Sequence, residues 1–235
     1  MHFDFKVKMD RVDTLTNPDF NIAEIDWLLN EAQLIFIKQR YGVNNIKRQG
    51  FEATQKRTDD LSTLHIKYPE QLGITPTLVS GVYEIDLNNL KYKYLFFLRG
   101  EVDIKLNDAC TKTVPLKFVQ SDDLSEALKD PFNKPSLDYI IYNIGRNSTG
   151  DNAALYIYPG NFEIVSVYPE YIKYPQRINY GNYTYIDGSV IGPSNCELPE
   201  QTHSEIVDIA TQLASLSVQS PEYIALRNQK ITIQE

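Results

Sequence analysis

The sequence predicts an α+β protein in which helices at both ends form a bundle and an antiparallel β sandwich or barrel lies between them. Three observations carry this expectation. Apolar residues recur at spacings of three and four in the first and last parts of the chain. From about Thr77 the period changes to two. Turn residues then punctuate the middle at short, regular intervals. The same changes of period divide the chain into an N-terminal helical region, 1–75, a β-rich domain, 76–197, and a C-terminal helix and arm, 198–235.

The first helix is the best specified element. Asn21 suits an N-cap and Glu24 sits three residues on, where a capping-box carboxylate belongs. Pro18 blocks extension backwards, Gly42 follows the last periodic residue, and Lys38 and Arg40 occupy the final turn, where cations suit the helix dipole. At about 100° per residue, Ile22, Ile25, Leu28, Leu29, Ala32, Ile35 and Phe36 form one stripe. Trp27, Leu34, Ile37 and Tyr41 form a second on the opposite side. A second apolar stripe needs a second cover, either another layer of the same domain or a neighbouring molecule. Trp27, Leu34, Ile37 and Tyr41 are therefore the candidate subunit interface.

A second helical segment follows, with Phe51, Thr54, Thr58, Leu61 and Leu64 in register, closing near Tyr68-Pro69 and placing His65 near its end. LVSGVYEIDL, KYLFFLRGEVDIKL, TVPLKFVQ, DYIIYNIG, AALYIYPG, FEIVSVYPEYIKYP and YTYIDGSVIG read as strands, rich in Tyr, Phe, Val and Ile. Asn88-Asn89, Asn107-Asp108, Gly150-Asp151, Pro159-Gly160 and Asp187-Gly188 are the turn signals. Asp122 to Leu128 reads as a short helix between strands. In the last helix Thr202 and Glu205 repeat the capping-box pattern, and Ile206, Ile209, Ala210, Leu213 and Leu216 form its apolar stripe.

The chain has 235 residues, 42% hydrophobic and 23% charged, the composition of a globular protein. No apolar run is long enough to span a bilayer, so no membrane partner is expected. MHFDFKVKMDRVD lacks the apolar core of a signal peptide, and Cys110 and Cys196 are expected as reduced thiols. A formal net charge of −8 argues against a surface built to grip nucleic acid and leaves at most non-specific contact with DNA.

The search for chemistry finds little. His2, reading as a mobile terminus, and His65 and His203 belong to no metal pattern, and there is no nucleophile elbow, phosphate loop or dinucleotide fingerprint. Asp122-Asp123 reads as helix-start chemistry and Asp59-Asp60 as a solvated helix face. No catalytic residue, metal or cofactor is expected. Two charge clusters stand out instead. Lys38, Arg40, Lys47, Arg48, Lys56 and Arg57 are basic, while Glu197, Glu200, Glu205, Asp208 and Glu222 are acidic. They read either as solvated faces or as complementary docking patches between subunits, with Lys38, Arg40, Lys47, Arg48, Glu205 and Asp208 as the docking residues.

The segment FNIAEIDWLLNEAQLIFIKQRYG, through Pro18, Phe20, Leu29, Asn30, Glu31, Ala32, Gln33, Phe36, Lys38, Arg40, Tyr41 and Gly42, resembles the opening of structural proteins of short-tailed, crAss-like phages of Bacteroidetes. The run LPEQTHSEIVDIATQLASLSVQSPEY resembles their C-terminal end. These are head-to-tail adaptors and tail-ring proteins. The resemblance implies a closed ring of this chain, dodecameric to match a portal, docked to the portal or a neighbouring ring and surrounding the path of the genome. It also implies residence in the virion, with assembly in the host cytoplasm, and an architectural rather than an enzymatic role. The alternative is a β-sandwich recognition module for a glycan or a host protein, motivated by the Tyr-rich strands.

Overall fold

The computed structural model describes residues 1–12, 20–41, 51–68, 73–107, 110–147, 152–181, 183–184 and 190–217. The helices in chain order are α1 (His2–Val12), α2 (Ile22–Tyr41), α3 (Phe51–Leu61), α4 (Leu124–Lys129) and α5 (His203–Ser217). The strands are β1 (His65–Lys67), β2 (Thr77–Val79), β3 (Val82–Asp86), β4 (Tyr94–Asn107), β5 (Cys110–Phe118), β6 (Ile140–Arg146), β7 (Ala153–Tyr158), β8 (Glu163–Lys173), β9 (Tyr183–Thr184) and β10 (Val190–Ile191). They fall into two compact units. The helical unit joins Met1–Leu64 to Pro175–Glu235, and the sheet unit is His65–Tyr174.

These boundaries differ from those at 75/76 and 197/198, and hydrogen bonding explains the difference. His65–Lys67 is a strand rather than the end of a helix: it pairs antiparallel with Lys67 opposite Glu170, so it belongs to the sheet. At the other boundary the Asn30 side-chain amide bonds Ile178 as a backbone would. Its Nδ2 donates to Ile178 O at 2.8 Å and its Oδ1 accepts from Ile178 N at 2.8 Å. The chain after Tyr174 is thereby tied to α2.

In the helical unit α2 packs on α5, α1 on α5 and α3 on α2. The Glu24 half of the α2 capping box forms as expected, with Asn21 N donating to the Glu24 carboxylate at 2.9 Å, and the Asn21 side-chain oxygen accepts from Ile22 N at 2.7 Å. Ile25, Leu28, Leu29, Ala32 and Phe36 of its inner stripe are buried, and Phe5 and Met9 of α1 join Ile206, Val207, Ala210 and Ala214 of α5 in the core. Helix α1 escapes a reading of periodicity because, among its described side chains, two buried apolar residues, Phe5 and Met9, mark its inner face. The capping box expected at Thr202 and Glu205 does not form. The Thr202 hydroxyl donates to Pro199 O at 2.8 Å in a 3-10 turn, and the Glu205 carboxylate is held by cations of α2 and α3.

The sheet unit holds one open eight-stranded sheet, ordered β1-β8-β4-β5-β6-β7-β3-β2, rather than a sandwich or a barrel. Closure would require its edge strands to pair. The edges are β1 and β2, three residues each, and the segment before β2 meets β8 through a bridge of Ile74 with Val167, outside any named strand. Nor is the sheet wholly antiparallel, because β5 and β6 run parallel through Leu116–Ile140 to Phe118–Tyr142. A parallel pair needs a long crossover, and the chain between Val119 and Tyr139, with α4 inside it, supplies one.

LVSGVYEIDL is two strands, not one: Ser80 and Gly81 both take positive φ, 52° and 86°, as a tight hairpin turn requires. Alternation holds in β4 and β5 but not in β8, which is buried without a break from Val167 to Ile172, nor in β6, buried from Ile140 to Asn143. Val102 and Ile104 of β4, Leu155 and Ile157 of β7 and Ile164 and Val167 of β8 belong to one buried cluster. Strands near both ends of the ladder share that core, so the sheet must curve.

Candidate assembly surface

Helix α2 carries most of the residues on which a functional reading rests, and its polar residues separate into internal and external groups. Arg40, in its last turn, donates through Nε to Asp60 at 3.0 Å and through its other guanidinium arm to Glu205. Lys56 of α3 reaches the second Glu205 oxygen at 3.0 Å. Asp60 is 1% exposed and also accepts from Gln201 Nε2 at 3.1 Å. The buried carboxylate therefore has a cation and an amide, as a desolvated charge requires. Lys8 of α1 pairs with Asp208 of α5 at 2.9 Å across an exposed face.

The basic and acidic clusters seen in the sequence thus meet within one copy, where Arg40, Glu205 and Asp208 link helices of the same unit. Asp60 is an internal anchor rather than a solvated face. Lys38 is exposed, and Lys47 and Arg48 lie outside the described residues.

A second internal network surrounds Asp26, also 1% exposed. His2 Nε2 lies 2.6 Å from Asp26 Oδ1, and Tyr180 N donates to the same carboxylate at 3.1 Å. The His2 and Tyr180 rings stack at 4.7 Å. The N-terminal histidine, expected to be mobile, is held by a buried carboxylate that the sequence shows only as one more polar residue of α2. His203 Nε2 lies 3.1 Å from Leu198 O. Cys110 and Cys196 are free, and burial pushes the Cys196 thiol up. Among the described residues, no group of three or more His, Cys, Asp or Glu side chains is placed to hold a metal.

The outer stripe of α2 does not share one environment. Ile37 is fully buried within the chain and so belongs to the core. Leu34 and Tyr41 are half-buried. Trp27 is 66% exposed, leaving the one tryptophan of the sequence as the main apolar side chain that this face presents to solvent.

The sheet unit presents two further features. Lys91, Tyr92, Lys93 and Tyr174 are exposed, and Lys173 is partly so. The Lys91 and Lys173 ammonium groups lie 5.3 and 5.0 Å from the Tyr92 ring, and that of Lys93 lies 5.0 Å from the Tyr174 ring. The loop bearing them is fixed from beneath. Tyr68 Oη accepts from Lys91 N at 2.9 Å, Tyr171 Oη donates to Tyr92 O at 3.2 Å, and Tyr174 N donates to Lys93 O at 2.7 Å. Burial pushes the Tyr171 hydroxyl up to about 12, so it remains a donor. The near-repeat of KYKY at 91–94 and YIKY at 171–174 is the sequence signal that marks this patch.

The second feature is the crossover between β5 and β6. Phe132, at its tip, is 90% exposed on a well-fastened turn. Phe132 N donates to Asp130 Oδ1 at 3.0 Å, Asn133 Nδ2 to Asp130 Oδ2 at 2.5 Å, and Tyr139 Oη to Phe132 O at 3.1 Å. Asp122, Asp123 and Glu126 are exposed in the same crossover. Asp123 stands at the N-cap position of α4 but makes no side-chain cap bond.

These features are exposed aromatic and charged side chains on the surface of each unit. No curated protein matches the chain. Residues 2–223 match the family described as phage tail ring protein 3/4, over far more of the sequence than the two terminal segments that carried the resemblance. The chain belongs to the crAss-like phage tail ring protein 3/4 family.

Proposed function

We propose that this chain is the subunit of a closed homo-oligomeric ring that docks to the portal or to an adjacent ring and encloses the path of genome ejection. The helices of the helical unit act as the bundle that carries subunit contacts. The observation that carries the reading is Trp27, 66% exposed, the most exposed large apolar residue of α2; Ile22 at its first turn is 40% exposed and the others are buried or half-buried. A solvent-facing tryptophan on a rigid helix is the kind of anchor that concentrates binding energy at an interface. A closed ring needs one contact repeated by rotation, with different surfaces on its two sides. An acidic total charge, −8, suits a wall past which DNA slides without adhering.

Native mass spectrometry and electron microscopy of the full chain, alone and with its portal, test this reading. Closed rings or docked rings are expected, and a strict monomer that never docks overturns it. Trp27→Ala should leave unfolding free energy within about 0.5 kcal/mol and weaken assembly by roughly tenfold or more. If stability falls while assembly per folded copy is unchanged, Trp27 is a core residue and not the ring contact.

A further inference from the structure

We infer that the Lys91–Lys93 loop, with Lys173 and Tyr174, receives the β5–β6 crossover of a second copy, with Phe132 as its anchor and Asp122, Asp123 and Glu126 as its charges. The inference rests on the ring reading and names a contact within it.

Charge is distributed differently in the two units. In the helical unit, clusters of opposite sign meet inside one copy through Arg40, Lys56 and Glu205. The sheet unit does not repeat this. Among the described residues, neither Lys91 nor Lys93 has a carboxylate within ion-pair distance, and Asp122, Asp123 and Glu126 have no cation within it. The chain carries a net −8, so three lysines clustered around two tyrosines are a local exception to its charge. The β5–β6 crossover is a net acidic complement on the same unit: Asp122, Asp123, Glu126, Asp130 and Asp138 outnumber its Lys129 and Lys134.

Shape and rigidity point the same way. Phe132 is held out by Asp130 and Tyr139, so little ordering remains to be done on binding. The receiving loop is likewise fixed by Tyr68 and Tyr171. Tyr92 and Tyr174 offer aromatic faces to a phenyl ring, and the lysines around them offer charge to the carboxylates. The two surfaces are different, one borne by β4 and β8 and the other by the link from β5 to β6. A contact between different surfaces is heterologous, the kind that rotation closes into a ring.

The test uses two full-length charge-reversed variants. One carries Lys91→Glu, Lys93→Glu and Lys173→Glu, and the other Asp122→Lys, Asp123→Lys and Glu126→Lys. Association is followed by analytical ultracentrifugation, with circular dichroism to confirm folding. Each variant alone is expected to associate roughly tenfold or more weakly than the wild type, with the difference shrinking at high salt. An equimolar mixture should regain assembly, because every basic surface then meets an acidic one in an alternating ring. Phe132→Ala, which leaves all charges in place, should also weaken association. Normal assembly of both variants alone, or failure of the folded variants to rescue each other, overturns the contact. If the basic-patch variant assembles normally but loses retention on duplex DNA, the lysines serve phosphates and the contact is wrong. A wild type that stays monomeric at every concentration and salt, with and without its portal, overturns the ring reading itself. Normal wild-type rings with no effect of either reversal overturn only the contact.

Discussion

The helical unit and the sheet unit handle charge in opposite ways. In the first, Arg40, Asp60, Glu205 and Lys56 close a network between α2, α3 and α5, and Asp26 gathers His2 and Tyr180. Its main solvent-facing apolar side chain on α2 is Trp27. In the second, an ion pair such as Arg99 with Glu170 is local to neighbouring strands, while Lys91, Lys93, Asp122, Asp123 and Glu126 remain at the surface. A cluster of charge in a sequence does not reveal whether its partner lies within the chain or on another molecule. Its distance from an opposite cluster in the fold decides that. In the helical unit these charges hold helices together, whereas in the sheet unit Arg99, His65 and Lys105 pair between strands and, among the described residues, Lys91, Lys93, Asp122, Asp123 and Glu126 stay outside any ion pair.

The comparison breaks most directly if the two units are not separate in stability. Leu29 in α2 and Leu155 in β7 are both fully buried. Leu→Ala at either site removes a side chain from a packed core and should cost about 3–5 kcal/mol. Leu155→Ala should lower hydrogen-exchange protection across 65–174 and leave α2 and α5 protected, and Leu29→Ala should do the reverse. Loss of protection across the whole chain from either substitution would mean one cooperative body, and the division by charge would have no counterpart in stability.

A smaller effect separates internal from surface charge within the helical unit. Arg40→Ala leaves the Asp60 carboxylate buried with Gln201 as its remaining partner among the described residues, and should cost about 2–3 kcal/mol in urea unfolding. Lys56→Ala removes an exposed partner of an exposed carboxylate and should cost no more than about 1 kcal/mol. Equal costs would mean that the Arg40 network is as solvated as the Lys56 pair. Arg40→Ala combined with Asp60→Asn should recover part of the loss, since the orphaned charge is then gone.

Legibility in the sequence followed the strength of local patterns. The α2 boundaries, its inner stripe and its capping box were readable because Asn21, Glu24 and the apolar spacing act within one helix. Seven apolar runs located the strands other than β1, with β2 and β3 merged into one run, since alternation is also local. The open edges and the parallel β5–β6 pair were not readable, because pairing is set between distant segments and the short α4 gave no sign of a crossover back to a parallel neighbour. Ile37 looked like part of an outer face because two stripes cannot show how much of the second is covered. Asp26 and Asn30 looked like spacers because their partners, Tyr180 and Ile178, are about 150 residues away in sequence. The Lys-Tyr patch was present in the sequence as KYKY and YIKY, but two tetrapeptides eighty residues apart acquire meaning only when β4 and β8 are paired.

The smallest expected effect concerns the turn that presents Phe132. Backbone donation from Phe132 N, followed by the Asn133 amide, holds the Asp130 carboxyl below its ordinary value of 3.8. A folded pKa that is depressed stabilises the folded turn above the unfolded value, and that stabilisation is lost as pH falls through the lower folded value. The turn should therefore stay closed at neutral pH and through ordinary mild acid, and loosen only below the usual carboxylate range. The amide resonance of Phe132 should move with Asp130 protonation and with no other group of the crossover. Asp130→Asn keeps an acceptor for the same backbone donor and should abolish the titration while leaving the turn formed at neutral pH. If the Phe132 resonance titrates unchanged in Asp130→Asn, another group governs the turn. The exposed phenylalanine would then owe its position to something other than this carboxylate, and the rigidity that distinguishes the sheet unit's surface from a loose loop would need a different origin.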